Sequence, residues 1–265
     1  METVLSINDA TPDDSKPVRA MPWQRVFGAY VAEARSECLR YLRAPGFILP
    51  MLLFSSVFYL MFGVLLNHGD ASRYLLASYS AFGIIGPGLF GFGASLAIER
   101  DGGLLTLKRA LPMPPGAYLL GKMVMAMIAS GMVAALLVLI ALFLAHVNLS
   151  FLQIAKLLLI GAFGVLPFCA LGMWVGTLIK GQGAPGLLNL VYLPMAFLSG
   201  LWLPLSMLPQ ALQTIAPIWP SYHLNQLTLA AVGLNHGALL PHVLALLGYA
   251  MGFLLLAVRQ LRRYG

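Results

Sequence analysis

Residues 116–123, GAYLLGKM, come nearest in this sequence to a nucleotide-binding motif. Gly116, Gly121 and Lys122 match a phosphate-binding loop, but such a loop also needs a Ser or Thr after the lysine to hold Mg²⁺. Met123 occupies that place, and a thioether is a poor ligand for a hard cation. Three prolines precede the motif and 23 uncharged residues follow it, so the required strand and amphipathic helix are missing. We therefore predict that the chain does not bind ATP and that Lys122 is a cationic anchor at a membrane boundary.

Other catalytic patterns are also missing from the sequence. It contains no His–Glu zinc motif, no Gly-x-Ser-x-Gly and no paired aspartates. Its two cysteines, Cys38 and Cys169, form no redox or metal motif. No metal-binding spacing links the five histidines, which we interpret as polar residues at the outer membrane interface. We predict neither an enzyme nor a metal protein.

The composition is typical of a membrane protein. Of the 265 residues, 60% are hydrophobic and 9% are charged, whereas soluble domains contain about 25% charged residues. We predict an all-α polytopic membrane protein with six transmembrane helices, each with about 20 residues to cross about 30 Å of hydrocarbon. The predicted spans are 46–66, 74–98, 123–145, 156–179, 184–203 and 238–258.

The basic residues orient these spans. Of the 16 Lys and Arg residues, 14 lie on one predicted side, and only Arg73 and Lys156 lie on the other. Cytoplasmic loops carry the excess of Lys and Arg, so the pattern puts both termini in the cytoplasm. The net charge of +7 then reflects topology and not nucleic-acid binding. The pattern puts Lys108 and Arg263 in the cytoplasm, and His68, His146 and His236 outside.

The N-terminal part divides into a tail and a helix. Residues 1–20 are polar and predict a disordered cytoplasmic tail, which leaves 21–265 as one transmembrane domain. Residues 22–43 predict an amphipathic helix on the inner membrane surface. It is either a plain anchor or also the contact for a cytoplasmic partner, because amphipathicity does not name one. The residues singled out in it are Trp23, Phe27, Tyr30, Arg40 and Arg43.

Residues 204–232 are too apolar for a loop and too interrupted by proline for a single span. They predict short helices that enter the outer leaflet and return, with an ordinary hairpin of packing helices as the alternative. The residues singled out in this outer region are Gly200, Pro204, Pro209, Pro217, Pro220 and Tyr222.

The spans carry almost no ionisable residues away from their ends. Ion-coupled transporters usually keep such residues near the midplane of the membrane. With neither a coupling residue nor a nucleotide site, we expect a partner chain to supply energy.

Two segments resemble type-2 ABC transporter permeases. Residues 99–122 are similar to the family's cytoplasmic segment between the second and third spans, and residues 199–227 to its second hallmark before the last span. The positions that match in the first are Glu99, Gly102, Gly103, Leu104, Leu107, Pro112 and Lys122. In the second they are Ser199, Gly200, Pro204, Pro209, Pro217, Pro220 and Tyr222. The three prolines before Gly116 depart from the family pattern and leave the end of the first segment open.

The resemblance implies a permease that pairs with a second copy of itself and with two separate ATP-binding subunits. It implies that this chain binds no cofactor, because ATP and Mg²⁺ bind those subunits. It also implies export of a hydrophobic or amphiphilic substrate across a bacterial inner membrane. Residues 99–118 would couple to the ATPase, and the helix at 22–43 would touch it too. The candidate coupling residues are Glu99, Gly102, Gly103, Leu104, Leu107 and Arg109.

Within this coupling segment we predict a short helix. Glu99 and Asp101 would lie near its start and Lys108 near its end, where their charges suit the helix dipole. Leu104, Leu107 and Leu111 would share one face, which either docks on the partner or lies back on the permease or on lipid headgroups. Two other classes of protein stay open as alternatives. One is a non-transporting anchor or regulatory subunit, and the other is a membrane-embedded enzyme, which should show a polar cluster.

Overall fold

The computed structural model describes residues 22–66, 69–110 and 114–264, without the side chains of Phe47, Arg109, Pro115 and 261–264. Helices make up most of this part of the chain, and it contains no strand, as expected for an all-α membrane protein. The predicted tail at 1–20 and His68 lie outside the described residues, as does the side chain of Arg263.

The helices follow one another with short connections. The first six are α1 (Trp23–Leu42), α2 (Pro45–Phe58), α3 (Asp70–Gly86), α4 (Ser95–Asp101), α5 (Leu104–Ala110) and α6 (Pro115–Phe143). The next six are α7 (Phe151–Phe163), α8 (Leu166–Leu178), α9 (Ala184–Leu198), α10 (Gln210–Ile215), α11 (Pro220–Ala231) and α12 (Leu240–Tyr264). Wider π-helical turns at Tyr59–Leu65 and Pro87–Ala94 extend α2 and join α3 to α4.

Five helical stretches in the described residues are long and apolar enough to cross a membrane. They are Ile48–Leu65, Asp70–Asp101, Gly116–Phe143, Phe151–Leu178 and Leu240–Gln260. The predicted fifth span corresponds to α9, whose 15 residues reach only about 22 Å at 1.5 Å per residue. The count of six spans therefore stays a prediction.

The second of these stretches, Asp70–Asp101, forms the centre of the bundle. Its most apolar window is 83% buried, whereas that of the last stretch, in α12, is 11% buried and faces outward. Glycines let α8 approach this centre closely, because a side chain on Gly93 would meet Gly172 and one on Gly176 would meet Gly93. Small residues at these positions let the two helix backbones come into contact.

Two predicted spans differ in detail from the helices. The third was expected to begin at Met123, but α6 begins at Pro115 because Lys122 is neutralised inside the bundle and does not end the helix. The fourth is not continuous. It consists of two helices, α7, which ends at Phe163, and α8, which begins at Leu166. Pro167 lies in the first turn of α8.

Candidate functional site: a buried ionic cluster

One lysine lies completely inside the bundle. The Nζ of Lys122, on α6, is 2.9 Å from a carboxylate oxygen of Glu99 on α4 and 3.2 Å from one of Glu37 on α1. It also donates to the hydroxyl of Ser95 at 2.9 Å. A buried ammonium is tolerated only when carboxylates and further hydrogen bonds replace its water. This ion therefore joins three helices.

The same two carboxylates receive further donors. Arg40 contacts Glu99 and also donates to Glu37 at 2.6 Å, while the hydroxyl of Tyr118 donates to the other oxygen of Glu99. Partial burial alone would lower the pKa of Arg40, but the carboxylates of Glu37 and Glu99 outweigh it and raise the pKa above its usual value. The arginine thus stays charged and holds the end of α4 against α1.

Lys108 brings α5 into the same group. Its Nζ contacts Glu33, lies 3.3 Å from Glu37, and is 4.5 Å from the centre of the Tyr118 ring. We call this group of seven residues the ionic cluster, and it balances three carboxylates with three cations. Its members are Glu33, Glu37, Arg40, Glu99, Lys108, Tyr118 and Lys122.

Two glycines let α1 pack closely enough to reach these partners. A side chain on Gly121 would lie 3.1–3.3 Å from atoms of Glu33 and Ala34, and one on Gly116 would lie 3.0 Å from the Tyr30 hydroxyl. These are the glycines that imitate a phosphate-binding loop. They lie inside α6, whose backbone N–H groups already bond within the helix beyond its first turn. These two glycines therefore belong to a continuous helix that packs closely on α1.

The interpretation of Lys122 as a boundary anchor was wrong. Its exposed fraction is 0%, and each of its polar contacts is with another side chain of the cluster or with Ser95. Glu33, Glu37 and Tyr118 were not predicted from the sequence to be functional candidates. A usable signal was present, because Glu33 and Glu37 lie one turn apart on an otherwise basic helix.

The predicted coupling residues divide into two groups. We had expected Glu99 and Asp101 to begin the short helix. They lie instead at the end of α4, which is the last part of the central stretch. Gly102 and Gly103 form the turn that follows, and Gly103 has the left-handed φ of 76° that favours glycine. The short helix is α5, which carries Leu104, Leu107 and Arg109, while Leu111 and Pro112 lie outside the described residues.

The leucines of α5 are not equally covered. Leu104 is half-buried, whereas Leu107 is 67% exposed. The seven-residue helix cannot hold itself together in water without a contact surface. Lys108 ties one side of it to the ionic cluster, and the face that carries Leu107 is left open.

The end of α4 also holds the connection between α8 and α9. Arg100 donates to the backbone carbonyls of Thr177 at 2.7 Å and Ile179 at 2.6 Å. Asp101 accepts the backbone N–H of Gly181 at 2.5 Å. A side chain on Gly181 would lie 2.7 Å from the backbone of Ile98, so only glycine fits there. We call these contacts the α4 clamp.

The surface helix α1 has its carboxylates turned inward. Trp23 and Phe27 are 78% and 61% exposed, Tyr30 packs by Gly116, and Arg40 belongs to the ionic cluster. Arg43 is exposed and forms no ion pair among the described residues. Burial raises the pKa of Tyr41, on the inward side, to about 12. The helix therefore separates an acidic inner face from apolar and basic outer faces.

The outer residues come together at the opposite end of the bundle. Gly200 has a left-handed φ of 75°, and its carbonyl accepts from Tyr74 at 3.3 Å and from Asn225 at 3.4 Å. The short helices predicted here are observed as α10 and α11 with two single 3-10 turns. Prolines 204, 209 and 220 each precede or begin one of these short helical segments. Pro217 bonds through its carbonyl with His223, whose ring packs edge-on against Tyr222.

A cavity of about 450 Å³ opens between α2, α3 and α9. Phe54, Phe82, Phe90 and Tyr192 line it, and Phe82 stacks on Tyr192 with ring centres 4.7 Å apart. The hydroxyl of Tyr192 donates to the carbonyl of Phe82 at 2.8 Å. These residues could not be predicted from the sequence, because apolar and aromatic side chains in a span give no local signal of a cavity.

Comparison with known proteins gives two matches. The protein family described as "ABC-2 type transporter" matches residues 29–232. A Bacillus subtilis (strain 168) protein named "Putative transport permease YvfS" is 30% identical over 239 residues, which cover 86% of this chain and 94% of the relative. The matched region includes the ionic cluster, the α4 clamp and most of the outer region.

Proposed function

The chain belongs to the ABC-2 type transporter family as a membrane permease subunit, and from this we propose that it exports an amphiphile using ATP hydrolysed by a separate subunit. The observation that carries the proposal is the ionic cluster. It joins α5, which has an open leucine face, to α1, α4 and α6. A displacement of α5 would therefore be transmitted directly to the central stretch, Asp70–Asp101.

In this proposal α5 is the coupling helix. Leu104 and Leu107 insert into a cleft of the ATP-binding subunit, since burying such a face removes apolar surface from water. Arg109 and the exposed start of α1, with Trp23 and Phe27, provide further contacts beside it. The partner binds ATP and Mg²⁺, and this chain binds no cofactor. The chain spans the inner membrane of a bacterial cell. The end of the bundle that includes α1, α5 and the C-terminus faces the cytoplasm.

The active assembly in this proposal is a pair of permease chains with two ATP-binding subunits. The cavity between α2, α3 and α9 is apolar and aromatic, which suits a hydrophobic or amphiphilic molecule better than a small ion. The α4 clamp supports a route between the two sites, since it links the end of α4 to the connection that leads into α9, whose Tyr192 lines the cavity. Movement of α5 would then reshape this cavity.

The experiment is to co-express the chain with an ABC ATP-binding subunit from the same organism and purify the pair. We expect a stable complex with two copies of each chain by native mass spectrometry. In vesicles that expose the ATP-binding subunits to the bath, we expect ATP-dependent accumulation of a fluorescent amphiphile inside. Accumulation without the partner, or a complex that hydrolyses ATP and moves no amphiphile from a broad panel, would contradict the proposal.

A further inference from the structure

The arginines of α1 fall into two classes. Arg40 belongs to the ionic cluster, but Arg25, Arg35 and Arg43 are exposed and form no ion pair among the described residues. The carboxylates of this helix, Glu33 and Glu37, are turned inward and already neutralised there. The outer surface of α1 therefore carries uncompensated positive charge.

Two of these free arginines flank a groove. An open surface hollow of about 820 Å³ runs along one side of α1 and is lined by Arg35, Arg40 and Arg43, with Ser36 and Leu39 between them. Arg40 is already paired in the ionic cluster. Arg35, Ser36, Leu39 and Arg43 follow one another at spacings of one, three and four, which puts them on one side of the helix. The groove thus offers two unpaired guanidinium groups, a hydroxyl and an apolar side chain.

The groove lies where the surface helix turns into the membrane. Arg43 is two residues before the start of α2 at Pro45, and the first apolar stretch begins at Ile48. Along α2, Leu49, Leu53 and Val57 are each about half exposed and recur every four residues. An exposed apolar stripe on the first membrane-crossing stretch therefore follows the arginines directly along the chain.

We propose that this groove binds the headgroup of an anionic phospholipid. Arginine donates paired hydrogen bonds to phosphate, and cations beside a membrane attract acidic lipids. In this arrangement Arg35 and Arg43 donate to the lipid phosphate, Ser36 bonds a glycerol oxygen, and an acyl chain lies along the leucine stripe of α2. The site does not depend on the coupling role of α5, so the two proposals fail separately.

The test uses the complete complex, with phosphatidylglycerol and phosphatidylcholine vesicles as the lipid source. After extraction in a neutral detergent, native mass spectrometry counts the phosphatidylglycerol that stays bound. The test variant is Arg35→Gln/Arg43→Gln. The matched control is Arg25→Gln/Arg259→Gln, which removes two exposed, unpaired arginines away from the groove.

We expect the control to retain phosphatidylglycerol like the unaltered complex and the test variant to lose at least about tenfold. Equal thermal unfolding of the two variants shows that the loss is not misfolding. Equal retention by both variants would overturn the site, as would equal loss, which reflects bulk charge alone. If the test variant keeps the lipid but releases the ATP-binding subunit, the groove binds that protein and the lipid proposal is wrong.

Discussion

At the scale of single residues, Lys122 sets how three helices meet. Its ammonium has no access to water, so its charge is stabilised by Glu37 and Glu99 alone among the described ionic groups. Removing one partner of such a buried group is costly because the others are left uncompensated, whereas removing a matched pair costs less. If Lys122 acts through its charge, removing it alone should therefore cost more stability than removing it together with a carboxylate partner. If it acts only by packing, the second removal should recover nothing.

We predict that Lys122→Met lowers the free energy of unfolding by about 3–5 kcal/mol. Adding Glu99→Gln should recover part of the loss, because it removes one of the two carboxylates that had faced the lost ammonium. Lys122→Arg should also destabilise, since a larger head does not fit a fully buried site. Thermal unfolding in detergent measures each variant. Lys156→Met, at an exposed lysine on α7, is the control and should change little.

If Lys122→Met and the double variant unfold alike, the cluster does not behave as coupled charges.

The sequence alone predicted that the glycines before Lys122 were not a nucleotide loop. It did not predict the partners of Lys122, because Glu37 and Glu99 are 85 and 23 residues away along the chain. No local periodicity reports contacts over such distances.

At the scale of elements, the end of α4 is a connector. One side of it enters the ionic cluster through Glu99, and the other holds the α8–α9 connection through Arg100 and Asp101. Since α9 lines the aromatic cavity, the clamp should carry the movement of α5 to the substrate side. A hydrogen bond to a charged group contributes about 1.5–3 kcal/mol, enough to hold such a connection.

We predict that Arg100→Met/Asp101→Ala keeps ATP hydrolysis but lowers transport at least about tenfold, because α9 no longer follows α4. The ratio of amphiphile moved to ATP hydrolysed, measured in vesicles, reports the effect. Arg73→Met is the matched control. It breaks a 2.6 Å bond to the carbonyl of Asn148 at the other end of the bundle.

The control should lose stability without a change in that ratio. A normal ratio in the double variant would remove the clamp from the coupling route.

The sequence predicted the short helix of this region and its leucines, since Leu104 and Leu107 follow helical spacing. It misplaced Glu99 and Asp101, because the central helix runs three residues past the predicted end at Ile98 before the Gly102–Gly103 turn.

At the scale of the whole molecule, the charges and the apolar helices agree on one architecture. The ionic cluster, the α4 clamp and the free arginines of α1 lie at one end, and the Gly200 turn with α10 and α11 at the other. Composition and periodicity predicted the all-α class and five of the spans. They did not fix the role of α9, which is too short to be a clear span by length alone.

We predict that α9 crosses the membrane together with the turn after it, so that Gln182 is cytoplasmic and Ser206 is outside. Single cysteines at Gln182, Ser206 and His236, in a chain lacking Cys38 and Cys169, provide the readout with an impermeant reagent in intact cells. Thr106→Cys on α5 is the cytoplasmic reference. We expect the cysteine at position 236 to be labelled from outside the cell and the cysteine at position 106 to be protected from the reagent.

Labelling of Gln182→Cys and Ser206→Cys from the same side would leave five spans and overturn the six-span topology. External labelling at position 106 would reverse the orientation and remove α5 from the reach of any cytoplasmic subunit.

The most direct test of the central claim is the response of the complete complex to Leu104→Asp/Leu107→Asp. Because a carboxylate pair cannot be buried in an apolar cleft, we expect release of the ATP-binding subunit or ATP hydrolysis without transport. Leu107→Asp alone should do the same, and it alters a side chain that is 67% exposed.

Thr106→Asp is the matched control, since it adds a charge to the same helix at an exposed position off the leucine face. The measurement is ATP-dependent accumulation of amphiphile in vesicles, alongside the amount of ATP-binding subunit that co-purifies. We predict normal values for Thr106→Asp and loss of transport for both leucine variants. Normal partner binding together with normal transport in the double leucine variant would contradict the claim that α5 couples this permease to its ATPase.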